Sequence, residues 1–185
     1  MTADWSWQES IGRCALPSPL TFWYLKNKRT SEINWKNNQS RLVTVRTKED
    51  LWRIYDYLEL ASNLSFGCDY SVFRKDSSPD WEDVSNANGG RLMFSVNESQ
   101  MDDCWRSLLK FLVEEDLPQV NGVVVSKRKK GNRFAVWMTP TAEMEEISHV
   151  EKLVKKYVTY EISFEFVRHA FKRILEEDEA SETSI

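Results

Sequence analysis

The fold is constrained first by an alternation of two hydrophobic periods. Three helical stripes are set between short runs in which apolar and polar residues alternate in steps of two. Leu51, Ile54, Tyr55 and Leu58 recur at i, i+3, i+4 and i+7, and Thr47, ahead of Glu49 and Asp50, supplies an N-cap and an acidic first turn. Trp52 lies about 100° round from Leu51, at the edge of that stripe, which predicts a half-exposed indole. A second helix is predicted from Ser99 to Glu115, burying Met101, Trp105, Leu108 and Leu112. A third opens at Thr139-Pro140, with Thr139 as cap and Pro140 in the first position, and buries Met144, Ile147, Val150, Val154 and Tyr157. Strands are predicted over 22–25, 41–45, 69–74 and 91–96, as a hairpin over 122–128 and 133–138, and over 160–168. The expectation is an α+β domain: an antiparallel sheet of seven or eight strands with three long helices on one face, the other face free to bind.

At 185 residues, 41% of them hydrophobic, the chain suits one core. Residues 1–17 lack periodicity and are expected to be loose, 18–175 to form the domain, and the acidic, Ser/Thr-rich stretch 176–185 to be disordered. The first ten residues carry Asp4 and Glu9 and no apolar run, and no segment approaches a membrane span. Three cysteines without regular spacing read as reduced thiols, so a cytoplasmic location is expected; the protein is also expected to be a monomer. A net charge of −4 argues against a general nucleic-acid binder, which needs a basic field, but leaves room for a local basic pocket.

Eight tryptophans need a reason. Trp81-Glu82 sets an aromatic face beside two acceptors, and guanine offers N1–H and N2–H₂ on one edge, which an ionised Glu accepts together. A methyl on N7 makes guanine cationic, and indole is the best aromatic partner for a cation. Trp35, in another loop, is the candidate for the opposite face. The alternative is that both indoles plug gaps in the core. In the hairpin, a turn through Lys129 to Asn132 would put Arg128 and Arg133 opposite one another, with Arg133, Ala135 and Trp137 on one face. Two guanidiniums beside an indole suit a phosphate chain on a stacked base; the alternative is a solvated basic turn. His149 and His169 stand outside any ligand-spaced cluster, and neither a phosphate loop nor a nucleophile–base constellation is present, so no metal, cofactor or catalytic residue is expected.

The block Gly67-Cys68-Asp69-Tyr70-Ser71-Val72-Phe73, then Pro79-Asp80-Trp81-Glu82-Asp83, Asn88-Gly89-Gly90-Arg91 and the Gly122–Trp137 hairpin, together resemble the cap-binding family of eukaryotic translation initiation factor 4E. Glu49-Asp50-Leu51-Trp52 and Ser62-Asn63-Leu64 add to the match, which runs from about Pro19 to His169. The resemblance implies a cupped sheet with helices on its convex face and the mRNA 5′ cap in the concave side. It implies Trp35 and Trp81 sandwiching 7-methylguanine, Glu82 on the guanine edge, Trp137 at the methyl, and Arg128, Arg133, Lys130 and Arg91 on the phosphates. It also implies that Trp52 receives a helix from a scaffold or repressor protein, with Pro19 and Leu20 assigned to the same surface. The family has Trp where Leu20 and Leu92 stand. It has aliphatic residues where this chain has Lys48, Arg106 and Lys110, and an acid at Ser107, which makes the patch more basic and suited to a more acidic partner helix. The expected function is a non-catalytic initiation factor that recruits capped mRNA. The alternatives are a cap-binding repressor that does not recruit the usual scaffold, and a nucleotide-processing enzyme such as a cap hydrolase.

Overall fold

A computed structural model describes residues 13–26, 38–74 and 77–169. Strand β1 (Ala15–Leu25) is followed by β2 (Gln39–Thr47), helix α1 (Lys48–Tyr57), β3 (Asp69–Arg74), β4 (Gly90–Phe94), α2 (Met101–Glu114), β5 (Val120–Ser126), β6 (Arg133–Met138), α3 (Met144–Tyr157) and β7 (Glu165–Arg168). The strands form one curved, wholly antiparallel sheet in the order β2-β1-β3-β5-β6-β4-β7. The α+β expectation and the three-helix layer hold. Among the described residues no helix is long and apolar enough to cross a membrane.

Strand alternation divides the side chains cleanly. Phe22, Val72, Val123, Val125, Phe134, Val136 and Met138 point to the helices and join Leu51, Leu108, Leu109, Phe111, Val150 and Val154 in the main core. Phe73, Val124, Ala135 and Trp137 point the other way, into a small second cluster against which Trp23, Trp81 and Met93 pack. That second cluster floors the concave face. Thr47 caps α1 as predicted, its hydroxyl accepting from the Asp50 N–H at 3.2 Å.

Four differences from the sequence reading have a visible physical cause. Strand β1 begins at Ala15, so residues 15–17 belong to the sheet rather than to a loose arm; the Cys14 N–H on Glu49 and the Lys48 N–H on the Cys14 carbonyl tie its start to α1. Helix α3 starts at Met144, not at Thr139-Pro140: Glu143 and Glu146 form a capping box, and Thr139 to Ala142 make a tight turn. Met144 is consequently exposed. The closing strand is only Glu165–Arg168, because β4 offers it partners no further than Met93; Ile162 and Phe164 turn to the core instead, Phe164 meeting Phe94 edge-on at 5.1 Å. In the hairpin, Ser126 rather than Arg128 opposes Arg133. Lys127 explains the difference. Its ammonium is buried, paired with Glu98 and donating to the Ser62 carbonyl at 2.9 Å, so the basic run at 127–130 is partly internal and residues 127–132 close the hairpin as a longer loop.

Candidate functional site

The Trp81-Glu82 loop owes its shape to two polar anchors, one half-buried and one buried. Asp83 accepts four hydrogen bonds, from the N–H (3.1 Å) and hydroxyl (2.7 Å) of Ser78 and from the N–H (2.9 Å) and hydroxyl (2.7 Å) of Ser85. Burial raises its carboxyl, but those four donors outweigh it and hold Asp83 below the usual carboxylate range. Asn86, fully buried, donates to the carbonyls of Ser78 (2.6 Å) and Asp80 (2.8 Å). Asn121 on β5 joins this knot through the Ser85 carbonyl and Asn86 Oδ1, and His169 through its Nδ1 on the Asn86 carbonyl. Thus Trp81 is half-buried against the concave-face cluster, outside the main core, while Glu82 is exposed beside it.

Trp137, 7% exposed, meets Phe73 edge-on at 5.3 Å and His169 at 4.4 Å. Next to it opens a cavity of about 130 Å³ lined by Arg91, Arg128, Arg133, Asp69 and Ala135 as well as Trp137. Arg91 lies opposite Trp137 in the β4–β6 register. Burial lowers the Arg91 pKa, the neighbouring Arg133 charge lowers it further, and its Nε is buried without a partner. The Arg133 guanidinium has no hydrogen bond or ion pair among the described residues. Two guanidiniums that repel one another, one of them partly desolvated, gain by accepting an anion between them. Arg128 forms a two-pronged ion pair with Asp69 (2.5 and 3.0 Å), and burial still raises the Asp69 carboxyl despite it. Thus Arg91, Arg128, Arg133 and Trp137 converge, although Arg128 reaches the cavity from the loop rather than from across the hairpin. Lys130 is exposed in that loop and does not line the cavity.

Trp35 lies outside the described residues. The chain leaves β1 at Lys26 and returns at Asn38, whose carbonyl accepts from Lys26 N–H at 3.0 Å, and Gln39 then donates to the Pro79 carbonyl at 3.3 Å. Gln39, four residues after Trp35, is therefore held against the loop that carries Trp81. Among the described residues no three His, Cys, Asp or Glu side chains are placed to hold a metal ion.

Comparison with known proteins decides the family. The sequence model of "Eukaryotic initiation factor 4E" matches residues 15–184. The chain belongs to the eukaryotic initiation factor 4E family. It is 34% identical to human eukaryotic translation initiation factor 4E over 149 residues, 76% of this chain and 68% of the human one. A complex of C. elegans eIF4E-3 with the 4E-binding protein Mextli and a cap analog superposes with a TM-score of 0.76 at 28% identity, covering 83% of this chain and 92% of that one. Schistosome eIF4E in complex with m7GpppG and 4E-BP gives a TM-score of 0.78 at 26% identity, covering 85% and 89%.

On the convex side of this initiation factor 4E fold, Trp52 is half-buried, as its helical position predicts, and contacts Tyr55 edge-on at 5.7 Å. The Arg106 guanidinium lies over both rings, 5.6 Å from the Trp52 centroid and 5.9 Å from that of Tyr55. Lys110 is exposed one turn further along α2, 3.9 Å from Glu114; Lys48 and Ser107 are half-buried. Leu20 departs from the expected surface. It is 2% exposed in the main core, where its Cα pairs with Val45 and Arg74, so its side chain cannot meet a partner; Pro19 is half-buried.

Sequence reasoning missed Asp69, Asp83, Asn86, Asn121 and His169 as supports of the site. A signal existed only for Asp83: a carboxylate flanked by Ser78 and Ser85 in a loop is the setting for turn-forming side-chain hydrogen bonds. The Asn86–His169 and Asp69–Arg128 contacts join residues far apart in sequence and leave no local trace.

Proposed function

We infer that this protein binds the 7-methylguanosine cap of mRNA in the concave face and serves translation initiation in the cytoplasm by presenting capped mRNA to a protein partner on its convex face. It is a binding protein rather than an enzyme, in keeping with its family. The observation that carries this reading is the meeting of Trp81 and Trp137 with Arg91, Arg128 and Arg133 on one sheet face, an apolar aromatic floor running into an anion site. Trp81 and Trp35 are assigned to the two faces of the base, Glu82 to the N1 and N2 donors, Trp137 to the methyl group, and the three arginines, with Lys130 at the rim, to the triphosphate. Relatives named as initiation factors, and solved relatives complexed with cap analogs and 4E-binding proteins, favour initiation over sequestration of the cap.

The direct test is quenching of tryptophan fluorescence on titration with 7-methyl-GTP and with GTP. The methylated form is expected to bind at least about tenfold more tightly, because removing the methyl removes the ring's positive charge and with it the cation–π attraction. Equal affinities would overturn the stacking assignment.

The partner surface centres on Trp52, and Arg106 conditions it. A helix that lays an apolar residue on Trp52 must first displace the guanidinium above it. Arg106→Leu is therefore expected to raise the affinity for a synthetic helix from a 4E-binding protein about fivefold, the worth of one exposed cation–π contact. Cap affinity should stay unchanged. Calorimetric titration of the peptide checks both.

A further inference from the structure

The concave face does not end at the arginines. In β4, Arg91 and Met93 are on the same side of the sheet as Trp137, and across the β4–β7 ladder they pair with Val167 and Glu165. Period-2 alternation therefore carries the ligand face onto the edge strand β7, with Glu165 and Val167 as its outermost row. An open groove of about 530 Å³ lies there, and Met93 and Arg133 line both it and the arginine cavity. Its floor is Met93 and Val167. Its rim is Ser163 with Glu161 and Glu165, two exposed carboxylates that form no hydrogen bond or ion pair among the described residues. Glu165 is close enough to act electrostatically on Arg91.

We propose that this groove is a second subsite, which takes the base of the first nucleotide after the triphosphate and accepts a hydrogen bond from its amino group through Glu165. The proposal rests on the cap-binding reading: a triphosphate gripped by Arg91 and Arg133 has to emerge beside one or other guanidinium, and past Arg133 the same face continues. The groove's chemistry selects which part of the nucleotide enters. Two carboxylates repel phosphate, so the chain's next phosphate stays outside, whereas an apolar floor with acceptors at its rim suits an unstacked base read on its hydrogen-bonding edge. Adenine, guanine and cytosine each present an amino group to a carboxylate. Uracil presents one N–H between two carbonyl oxygens, which the carboxylates repel.

The test compares m7GpppA, m7GpppU and 7-methyl-GTP by fluorescence titration on the parent and on Glu165→Gln. The parent is expected to bind m7GpppA about threefold to tenfold more tightly than m7GpppU, the range for a hydrogen bond to a partly solvated charge. Glu165→Gln, whose amide both donates and accepts, should bring the two within twofold, while 7-methyl-GTP binds at least as tightly as to the parent because one negative charge beside Arg91 is gone; retained 7-methyl-GTP binding also shows that the variant is folded. A parent that binds 7-methyl-GTP normally but m7GpppA and m7GpppU equally would overturn the subsite and leave the cap site standing. So would a preference that survives Glu165→Gln. Failure to bind 7-methyl-GTP at all would overturn the cap reading and this inference with it.

Discussion

Replacing Glu82 by alanine is expected to weaken 7-methyl-GTP binding about thirtyfold to a hundredfold. In the proposed complex guanine buries its N1–H and N2–H₂ donors as it stacks beside Trp81, and each bond to a carboxylate contributes about 1.5–3 kcal/mol. Removing Glu82 leaves both donors without a partner. The loss falls short of twice that figure because Glu82 is exposed and water can reach the edge of the site. A net cost of about 2–3 kcal/mol corresponds to the stated range at about 1.4 kcal/mol per tenfold. The loop should keep its shape in the variant, since Asp83 and Asn86 hold it through hydrogen bonds of their own. Glu82→Gln keeps the shape and one acceptor but loses the charge that faces a cationic ring, so an intermediate loss of about tenfold is expected. An alanine variant within threefold of the parent would remove Glu82 from the guanine edge.

The parts of this molecule that could be read from sequence are those set by local pattern. The stripe Leu51, Ile54, Tyr55 and Leu58 gave α1 and its cap, and the β3 limits, Asp69–Arg74, match the predicted run 69–74. Period-2 spacing also placed Arg133, Ala135 and Trp137 on one face, where the latter two are found in the concave cluster. What could not be read depends on contacts between distant segments. Arg128 was expected to face Arg133 from across a tight turn; instead Lys127, drawn inward by Glu98 and the Ser62 carbonyl, lengthens the loop. Leu20 was assigned to the partner surface by resemblance alone, yet its strand position turns it into the core. Thr139-Pro140 had the form of a helix start, but Glu143 and Glu146 supplied a stronger one a few residues later.

Gly89→Ala is expected to lower the thermal midpoint by roughly 10 °C and to weaken cap binding at temperatures where the variant is still folded. Gly89 is buried at the point where the Trp81 loop enters β4. A Cβ there would overlap the Met138 carbonyl oxygen and come within 3.0 Å of the Asn86 oxygen and 3.1 Å of the Thr139 carbonyl carbon. All three are backbone atoms, so no side chain can swing aside. Their positions are fixed on every side. Gly90 pairs with Met138 in the ladder, the Gly89 N–H donates to Asn86 at 2.9 Å, and the His169 N–H donates to the Gly89 carbonyl at 2.9 Å. Relief therefore requires β4 to part from β6 or the Asn86 turn to open. Overpacking of this kind costs about 3 kcal/mol, and each kcal/mol moves the midpoint about 2–4 °C in a domain of this size. Because Asn86 also holds the Ser78 and Asp80 carbonyls, the strain passes into the loop that aims Trp81 and Glu82. Val84→Ala, at a side chain 90% exposed in the same loop, is the control and should change neither property. Calorimetric melts with matched 7-methyl-GTP titrations check both, and a Gly89→Ala midpoint within 2 °C of the parent would mean that the loop and strand yield far more readily than these contacts imply.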